Sequence, residues 1–189
     1  MRIAVVAAFF ALGLSAQTTQ GPQILRKARE FSLVEPSGKT TLLSSMRGKV
    51  MVIQFLDTTC PHCQAYSMFL SKLVTELGPR GFQPWGVAFN EADAKMAAAY
   101  KQTYAPNFPV GYTARNTVIS FLAIPDQPLG VPQLVVIDRK GQVRAQTAPN
   151  DRDQPSEIRK ESAMRSLLDT LLKETAAPAT SAAAKKTAN

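Results

Sequence analysis

The sequence is poor in the residues that most often bind metals. It has two cysteines and one histidine among 189 residues, and the histidine stands between the two cysteines, as Cys60, His62 and Cys63. A structural zinc site usually requires four cysteine or histidine ligands. A single chain therefore cannot form such a site.

Long hydrophobic runs are also scarce. The one extended apolar stretch, residues 3–14, follows Met1-Arg2 and precedes Ser15-Ala16-Gln17. It is too short to span a bilayer comfortably. A positive residue, an apolar segment of this length and small residues after it are typical of a secretory signal peptide. We predict a signal peptide over residues 1–16, cleaved after Ala16, with an uncleaved N-terminal anchor as the alternative.

Positive charge is in excess but is not concentrated in any one region. Lys and Arg total 22 against 14 Asp and Glu, which gives a formal net charge of +8. Such an excess is compatible with binding to nucleic acid or to an anionic membrane. However, the sequence has no dense basic block with interleaved aromatic residues, as nucleic-acid grooves have. The charge predicts a solvated basic surface and no nucleic-acid partner.

The sequence does contain a Cys-x-x-Cys motif at a predicted strand-to-helix transition. Cys60-Pro61-His62-Cys63 follows the apolar residues 50–56 and begins an amphipathic segment that extends to Leu77. Free backbone N–H groups and the positive end of the helix dipole favour a thiolate at Cys60. Cys63 lies one turn further on, close enough to attack a mixed disulfide formed by Cys60.

The two residues between the cysteines fit the same interpretation. Pro61 suits the first helical turn, where a missing N–H costs nothing. His62 adds a donor, and a positive charge when protonated, that favours the reduced form and makes the disulfide more oxidising. The motif therefore predicts redox chemistry. A purely structural disulfide is the alternative, although so short a loop constrains the unfolded chain little.

The remaining sequence alternates predicted strands and helices. Strands are expected at residues 31–34, 39–42, 50–56, 82–89, 108–112, 134–137 and 142–147, and helices after residue 60, from 91, over 115–122 and after 155. This order predicts an α/β fold with parallel strands in the middle. It also places Cys60 at the carboxyl end of a central strand, where open α/β sheets carry their sites. We expect a loose lead-in over residues 17–29, one domain over 30–174 and a disordered tail over 175–189.

Four further side chains have expected roles, and three of them allow two interpretations. Asp57 is either a proton acceptor or substrate contact, or a solvated turn carboxylate, which we prefer. Asn90 is expected to cap a helix that begins at Glu91. Glu91 is then a first-turn helix residue rather than a catalytic base, and Trp85 packs within the sheet rather than against a ligand.

Taken together, these features resemble the thioredoxin superfamily, and within it the exported TlpA/ResA-like thiol–disulfide oxidoreductases. The resemblance extends over residues 31–172. It rests on four segments that match the family pattern: the hairpin with Gly38, Arg47-Gly48-Lys49, Cys60-Pro61-His62-Cys63, and Gly130-Val131-Pro132 before residues 134–138. It implies a thioredoxin-like fold, with a central mixed sheet flanked by helices and an N-terminal β-hairpin. It also implies a cis peptide bond at Val131-Pro132 opposite the dithiol, with the Val131 backbone offered to a substrate.

Several positions depart from the family pattern. Leu56 and Thr59 stand where family members commonly carry Trp, and Tyr66 stands where some ResA-like proteins have a Glu that helps move protons. The Pro-His dipeptide resembles that of the oxidant DsbA. Peroxiredoxins share the broad fold but have Thr at the position of Asp57. Specificity and redox direction therefore stay open.

The resemblance implies an exported thiol–disulfide oxidoreductase, more typically a reductase, with no cofactor beyond its own dithiol. Its partners would be protein thiols and disulfides and a membrane electron-transfer protein. Cys60 would be the nucleophile and Cys63 the resolving thiol, tuned by Pro61 and His62, while Val131 and Pro132 shape the substrate groove. A DsbA-like oxidant and a non-catalytic binding protein with a structural disulfide are the alternatives.

Overall fold

The computed structural model of the protein describes residues 23–150 and 156–174. The predicted signal peptide, the first part of the predicted lead-in and the predicted tail lie outside these ranges.

A six-stranded mixed sheet forms the middle of the fold, accompanied by a separate two-stranded hairpin. The strands are β1 (Arg26–Lys27), β2 (Ser32–Val34), β3 (Thr40–Leu42), β4 (Val50–Leu56), β5 (Phe82–Ala88), β6 (Val110–Tyr112), β7 (Gln133–Ile137) and β8 (Gln142–Gln146). The order in the large sheet is β1-β8-β7-β4-β5-β6, and β2 pairs with β3. β4, β5 and β6 are parallel, whereas β7, β8 and β1 each pair antiparallel with their neighbour. The mixed sheet with a leading hairpin is confirmed.

Helices cover both faces of this sheet. They are α1 (Pro61–Leu77), α2 (Ala94–Tyr104), α3 (Arg115–Leu122) and α4 (Glu161–Lys173). One core cluster joins the sheet to α1, α2 and α4, and a second joins it to α3 and the hairpin. Trp85 is buried in the second cluster, as expected. The fold is therefore α/β and thioredoxin-like.

The burial of the central strand β4 explains why its apolar sequence predicted a strand in the middle of the sheet. Alternate residues of β4 belong to the two core clusters, and every residue of the strand is buried. A strand buried on both faces is expected to be apolar almost throughout. The exception is Gln54, which is polar and completely buried.

The expectation of a loose lead-in is wrong where the structure describes it. Arg26–Lys27 forms β1 at the edge of the sheet, with Leu25 N–H donating to Val143 O (2.8 Å) and Ala28 N–H to Gly141 O (3.0 Å). The physical reason is that β8 would otherwise leave a row of backbone groups unpaired at the sheet edge.

The predicted start of the second helix is also wrong. Glu91 has a left-handed backbone (φ +58°) and so cannot begin a helix. Asp93 caps α2 instead, its carboxylate accepting a hydrogen bond from Met96 N–H at 2.8 Å. Asn90 does not cap the helix because its side chain is engaged with the turn that precedes Cys60.

Candidate active site

The two cysteines lie at the carboxyl end of β4, where α1 begins. Cys60 is the N-cap residue of α1, and Pro61 opens its first turn. Cys60 N–H donates to Asp57 O at 3.2 Å, which closes a turn, and Gln64 N–H donates to Cys60 O at 3.1 Å, which starts the helix. No side chain caps the helix, so the N–H groups of its first turn remain available to the Cys60 sulfur.

The two thiols differ in accessibility. Cys60 is partly exposed, whereas Cys63 is completely buried. Burial raises the pKa of the Cys63 thiol far above its usual value. A backbone hydrogen bond with Asp57 opposes this, and charge on Cys60 and on the Asp57 carboxylate adds to the pKa increase. At neutral pH, Cys63 is therefore protonated and shielded from solvent.

A buried polar chain lies behind Cys63 and joins β4, α1 and α2. The Gln54 amide donates to Cys63 O at 2.9 Å, and Gln54 Oε1 accepts from the Ser67 hydroxyl at 2.8 Å. The Ser67 and Tyr100 hydroxyl oxygens are 2.8 Å apart. Because Ser67 donates to Gln54, Tyr100 is the donor to Ser67. Three elements are thus connected at the first turns of α1.

Burial raises the pKa of Tyr100, and charge on Cys63 or Cys60 would raise it further. The tyrosine hydroxyl therefore lies close enough to the dithiol to interact with it electrostatically. Sequence reasoning missed this chain. The available signal was Gln54, a lone amide within an apolar strand.

The Val131-Pro132 peptide bond is cis. Because β7 is antiparallel to β4, with Gln133 opposite Phe55, this loop lies beside the carboxyl end of β4. The structure therefore brings Val131 and Pro132 to the same edge of the sheet as the dithiol. Pro132 is buried and Val131 partly buried.

Two side chains that sequence reasoning missed fix the loop with Pro132. The buried amide of Gln133 donates to Gly130 O at 2.6 Å, and its oxygen accepts from the Thr147 hydroxyl at 2.8 Å. The Arg159 guanidinium donates to Pro132 O at 2.7 Å. Sequence reasoning could not find these contacts, because Arg159 reaches Pro132 across 27 positions and Gln133 bonds to Thr147 across 14.

Asp57 is more than the solvated turn carboxylate that we preferred. It is partly buried, and its Oδ1 accepts three hydrogen bonds: from Thr59 N–H (2.8 Å), Thr59 Oγ1 (2.7 Å) and Asn90 Nδ2 (3.0 Å). The Asn90 side chain also bonds to Thr58. The carboxylate therefore organises the turn between β4 and α1.

Pro61 and His62 are exposed on the first turn of α1. Their effect on the dithiol stays a prediction. Within residues 23–150 and 156–174, no three His, Cys, Asp or Glu side chains are placed to hold a metal ion together. Among the helices in the same ranges, none has both the length and the hydropathy needed to cross a membrane.

Comparison with known proteins places this site in a family. Residues 24–146 match the AhpC/TSA family. The chain belongs to this family. The fold and the spacing of Cys60 and Cys63 agree with the wider thioredoxin superfamily.

Solved structures share the fold, and a curated relative matches part of the sequence. A thiol:disulfide interchange protein of the thioredoxin family from Chlorobium tepidum is 24% identical, with TM-score 0.64 and coverage of 78% of this chain and 96% of that one. The thioredoxin domain of a thiol-disulfide oxidoreductase from Bacteroides vulgatus is 15% identical, with TM-score 0.62 and coverage of 79% and 98%. The curated relative, named probable glutathione peroxidase 8-B, from Xenopus laevis, is 28% identical over 87 residues, 42% of each chain. This chain thus spans less than half the length of that relative.

The difference in exposure between the cysteines makes a testable prediction about reactivity. In the folded, reduced protein, an alkylating reagent should modify Cys60 and leave Cys63 unmodified at neutral pH. In a Cys60→Ala variant, modification of Cys63 should stay slow until well above about pH 8.5, the region in which ordinary thiols ionise. Mass spectrometry of the labelled sites measures this. Rapid labelling of Cys63 at neutral pH in the folded variant would contradict the structure.

The buried polar chain makes a second prediction. Tyr100→Phe should lower the free energy of unfolding by about 1 kcal/mol, since it removes one buried hydrogen bond. Tyr104→Phe is the matched control on α2, because in the described part of the chain the Tyr104 hydroxyl makes no hydrogen bond; its effect should stay below about 0.5 kcal/mol. Urea unfolding measures both variants. Equal losses in the two would mean that the Tyr100 hydroxyl contributes nothing specific.

Proposed function

We propose that the protein is an exported thiol–disulfide oxidoreductase that exchanges disulfides with other proteins through Cys60 and Cys63, in the reducing direction. The observation that supports this most directly is the pairing of a partly exposed thiol at a helix start with a buried thiol one turn further on. Family membership and the names of the structural neighbours agree with this class of reaction.

The reaction follows from the difference between the two thiols. The Cys60 thiolate attacks one sulfur of a substrate disulfide, forms a mixed disulfide and releases the other substrate sulfur as a thiolate. Cys63 then loses its proton and attacks the Cys60 sulfur. The new Cys60–Cys63 bond releases the second substrate thiolate, so the substrate is reduced and the dithiol is oxidised. No cofactor beyond the dithiol is required.

The cis-proline loop supports binding of an extended substrate segment. Val131 is partly buried beside the dithiol edge, and its backbone N–H and C=O make no hydrogen bond with the described residues. Free backbone groups of this kind can pair with an extended peptide. The backbone of Val131 would then pair with the substrate segment that contains the reacting cysteine, and Pro132 would shape the groove that holds this segment.

Export and an electron-donating partner complete the proposal. The predicted signal peptide over residues 1–16 supports export, although it lies outside the described residues. A reductase in an oxidising compartment must be reduced again after each turnover. We therefore propose a membrane electron-transfer protein as its partner.

A peroxide substrate is the second candidate, because the Xenopus laevis relative named as a probable glutathione peroxidase favours it. The residue three positions before Cys60 weighs against it. Peroxiredoxins have Thr there, whereas this chain has Asp57, whose negative charge is bound into the turn. Disulfide exchange is the function that we prefer.

Trapping of mixed disulfides tests the proposal. The Cys63→Ser variant should accumulate mixed disulfides between Cys60 and substrate proteins, because the resolving thiol is gone. Cys60→Ser should form none and should lose turnover entirely. Non-reducing electrophoresis with mass spectrometry detects the adducts in extracts of the exported fraction. A Cys63→Ser protein that forms no adduct, with Cys60 unreactive until the protein is unfolded, would favour a non-catalytic binding protein instead.

The direction of exchange has its own measurement, the reduction potential of the Cys60–Cys63 pair equilibrated against glutathione. A reductase should give a value near or below about −250 mV, the thioredoxin end of the scale. A value near about −120 mV would instead indicate a DsbA-like oxidant. In that case, replacing His62 should lower the potential, because His62 would be stabilising the reduced form.

A further inference from the structure

The proposed exchange requires a group that accepts the proton of the Cys63 thiol. Cys63 is completely buried, and burial raises the pKa of its thiol. It must nevertheless become a thiolate in order to attack the Cys60 sulfur. A nearby group must therefore accept its proton, and this further inference rests on the proposed function.

The buried polar chain behind Cys63 cannot accept this proton at neutral pH. Gln54 contributes an amide, which is not a base, and its oxygen already accepts from Ser67. Ser67 and Tyr100 are hydroxyl groups, and the pKa of Tyr100 is raised by burial. This chain positions the backbone of Cys63 without offering a basic site.

The other titratable side chains around the dithiol are equally unsuitable. Tyr66 is buried in α1, its hydroxyl donates to Ile158 O at 2.9 Å, and burial raises its pKa. His62 is exposed on the first turn, whereas the Cys63 thiol is directed into the core. Cys60 is bound to the substrate in the mixed disulfide and carries no free thiolate.

The backbone of Asp57 forms a hydrogen bond with the Cys63 thiol, which places this residue beside the thiol, and the charge of its carboxylate acts on the same group. The turn holds it in place, since three donors converge on its Oδ1. Among the described residues, none donates to its second oxygen, Oδ2. The carboxylate is thus fixed through one oxygen and has the other available.

We propose that Asp57 accepts the proton of Cys63 when the mixed disulfide is resolved. The proton passes from Cys63 Sγ to Asp57 Oδ2, directly or through one water molecule. The Cys63 sulfur then forms a bond with Cys60 Sγ, and the bond between Cys60 and the substrate sulfur breaks. The substrate leaves as a thiolate with the electron pair, and Asp57 returns its proton to solvent.

A two-phase reaction separates the role of Asp57 from that of Cys60. The reduced protein is mixed with one equivalent of dithiobis(nitrobenzoate). Attack by Cys60 on the reagent releases one thionitrobenzoate and leaves an adduct on Cys60. Attack by Cys63 on this adduct releases the second thionitrobenzoate. Stopped-flow absorbance follows both releases. Asp57→Asn should slow the second phase by about 100-fold near neutral pH, the lower end of the usual contribution of a general base. The first phase should keep its rate to within a small factor.

The pH profile distinguishes a proton acceptor from a structural residue. The wild-type advantage over Asp57→Asn should be present at neutral pH and should shrink at high pH, because hydroxide then removes the proton from Cys63 in both proteins. A constant ratio between the two proteins across the whole range would overturn the proposal.

Two control variants test alternative causes. Asp93→Asn removes the same charge from an exposed aspartate that caps α2, and it should leave both phases unchanged. Thr59→Val removes one hydrogen bond to Asp57 but keeps the carboxylate, so its second phase should stay much faster than that of Asp57→Asn. If Thr59→Val slows the second phase as much, the effect comes from the turn and Asp57 is not the acceptor.

The remaining outcomes separate this inference from the proposed function. If the wild-type protein releases both thionitrobenzoates and Asp57→Asn does so at the same rates, only the role of Asp57 is overturned. If Asp57→Asn slows both phases equally, the residue acts on the turn as a whole and the proposal is again wrong. If the wild-type protein never releases the second product, the resolving role of Cys63 fails, and the inference fails with it.

Discussion

The site depends on a buried hydrogen bond between the Gln54 amide and the carbonyl of Cys63 (2.9 Å). A buried amide group needs hydrogen-bond partners, because an unsatisfied one lowers the free energy of unfolding by about 1–3 kcal/mol. The Gln54 amide can reach the Cys63 carbonyl only if the first turn of α1 has a fixed position and orientation relative to β4. That constraint places Cys63 in the core and leaves Cys60 at the helix end, where it meets solvent.

The difference between the two thiols has consequences for the order of chemical events. In the proposed exchange, substrates reach only the sulfur that is partly exposed, so the mixed disulfide forms at Cys60. The buried sulfur is then next to that disulfide and excluded from other partners. Burial thus gives selectivity but suppresses the thiolate that resolution requires. In the proposed mechanism, the Asp57 carboxylate, which the turn holds in place, accepts the Cys63 proton without exposing the thiol.

The sequence predicted the features that depend on neighbouring residues. β4 and α3 begin and end where expected, since apolar runs and turn residues bound them locally. The contacts that complete the site could not be predicted, because Asn90 reaches Asp57 across 33 positions and Arg159 reaches Pro132 across 27. The sequence predicts a helix cap at Asn90 because an asparagine side chain suits a cap as well as a turn. Only the packed structure shows that Asn90 bonds to the turn before Cys60.

The departures from the ResA-like pattern form a connected set. Tyr66 replaces the proton-carrying Glu of some relatives, and here its hydroxyl anchors the segment before α4 while burial raises its pKa. It therefore cannot carry a proton away from the dithiol at neutral pH. Thr59, in place of a Trp, instead donates twice to Asp57, and Asn90 donates once more. In this chain, the carboxylate proposed to accept the Cys63 proton is therefore held in the turn before α1, and the α1 position carries Tyr66.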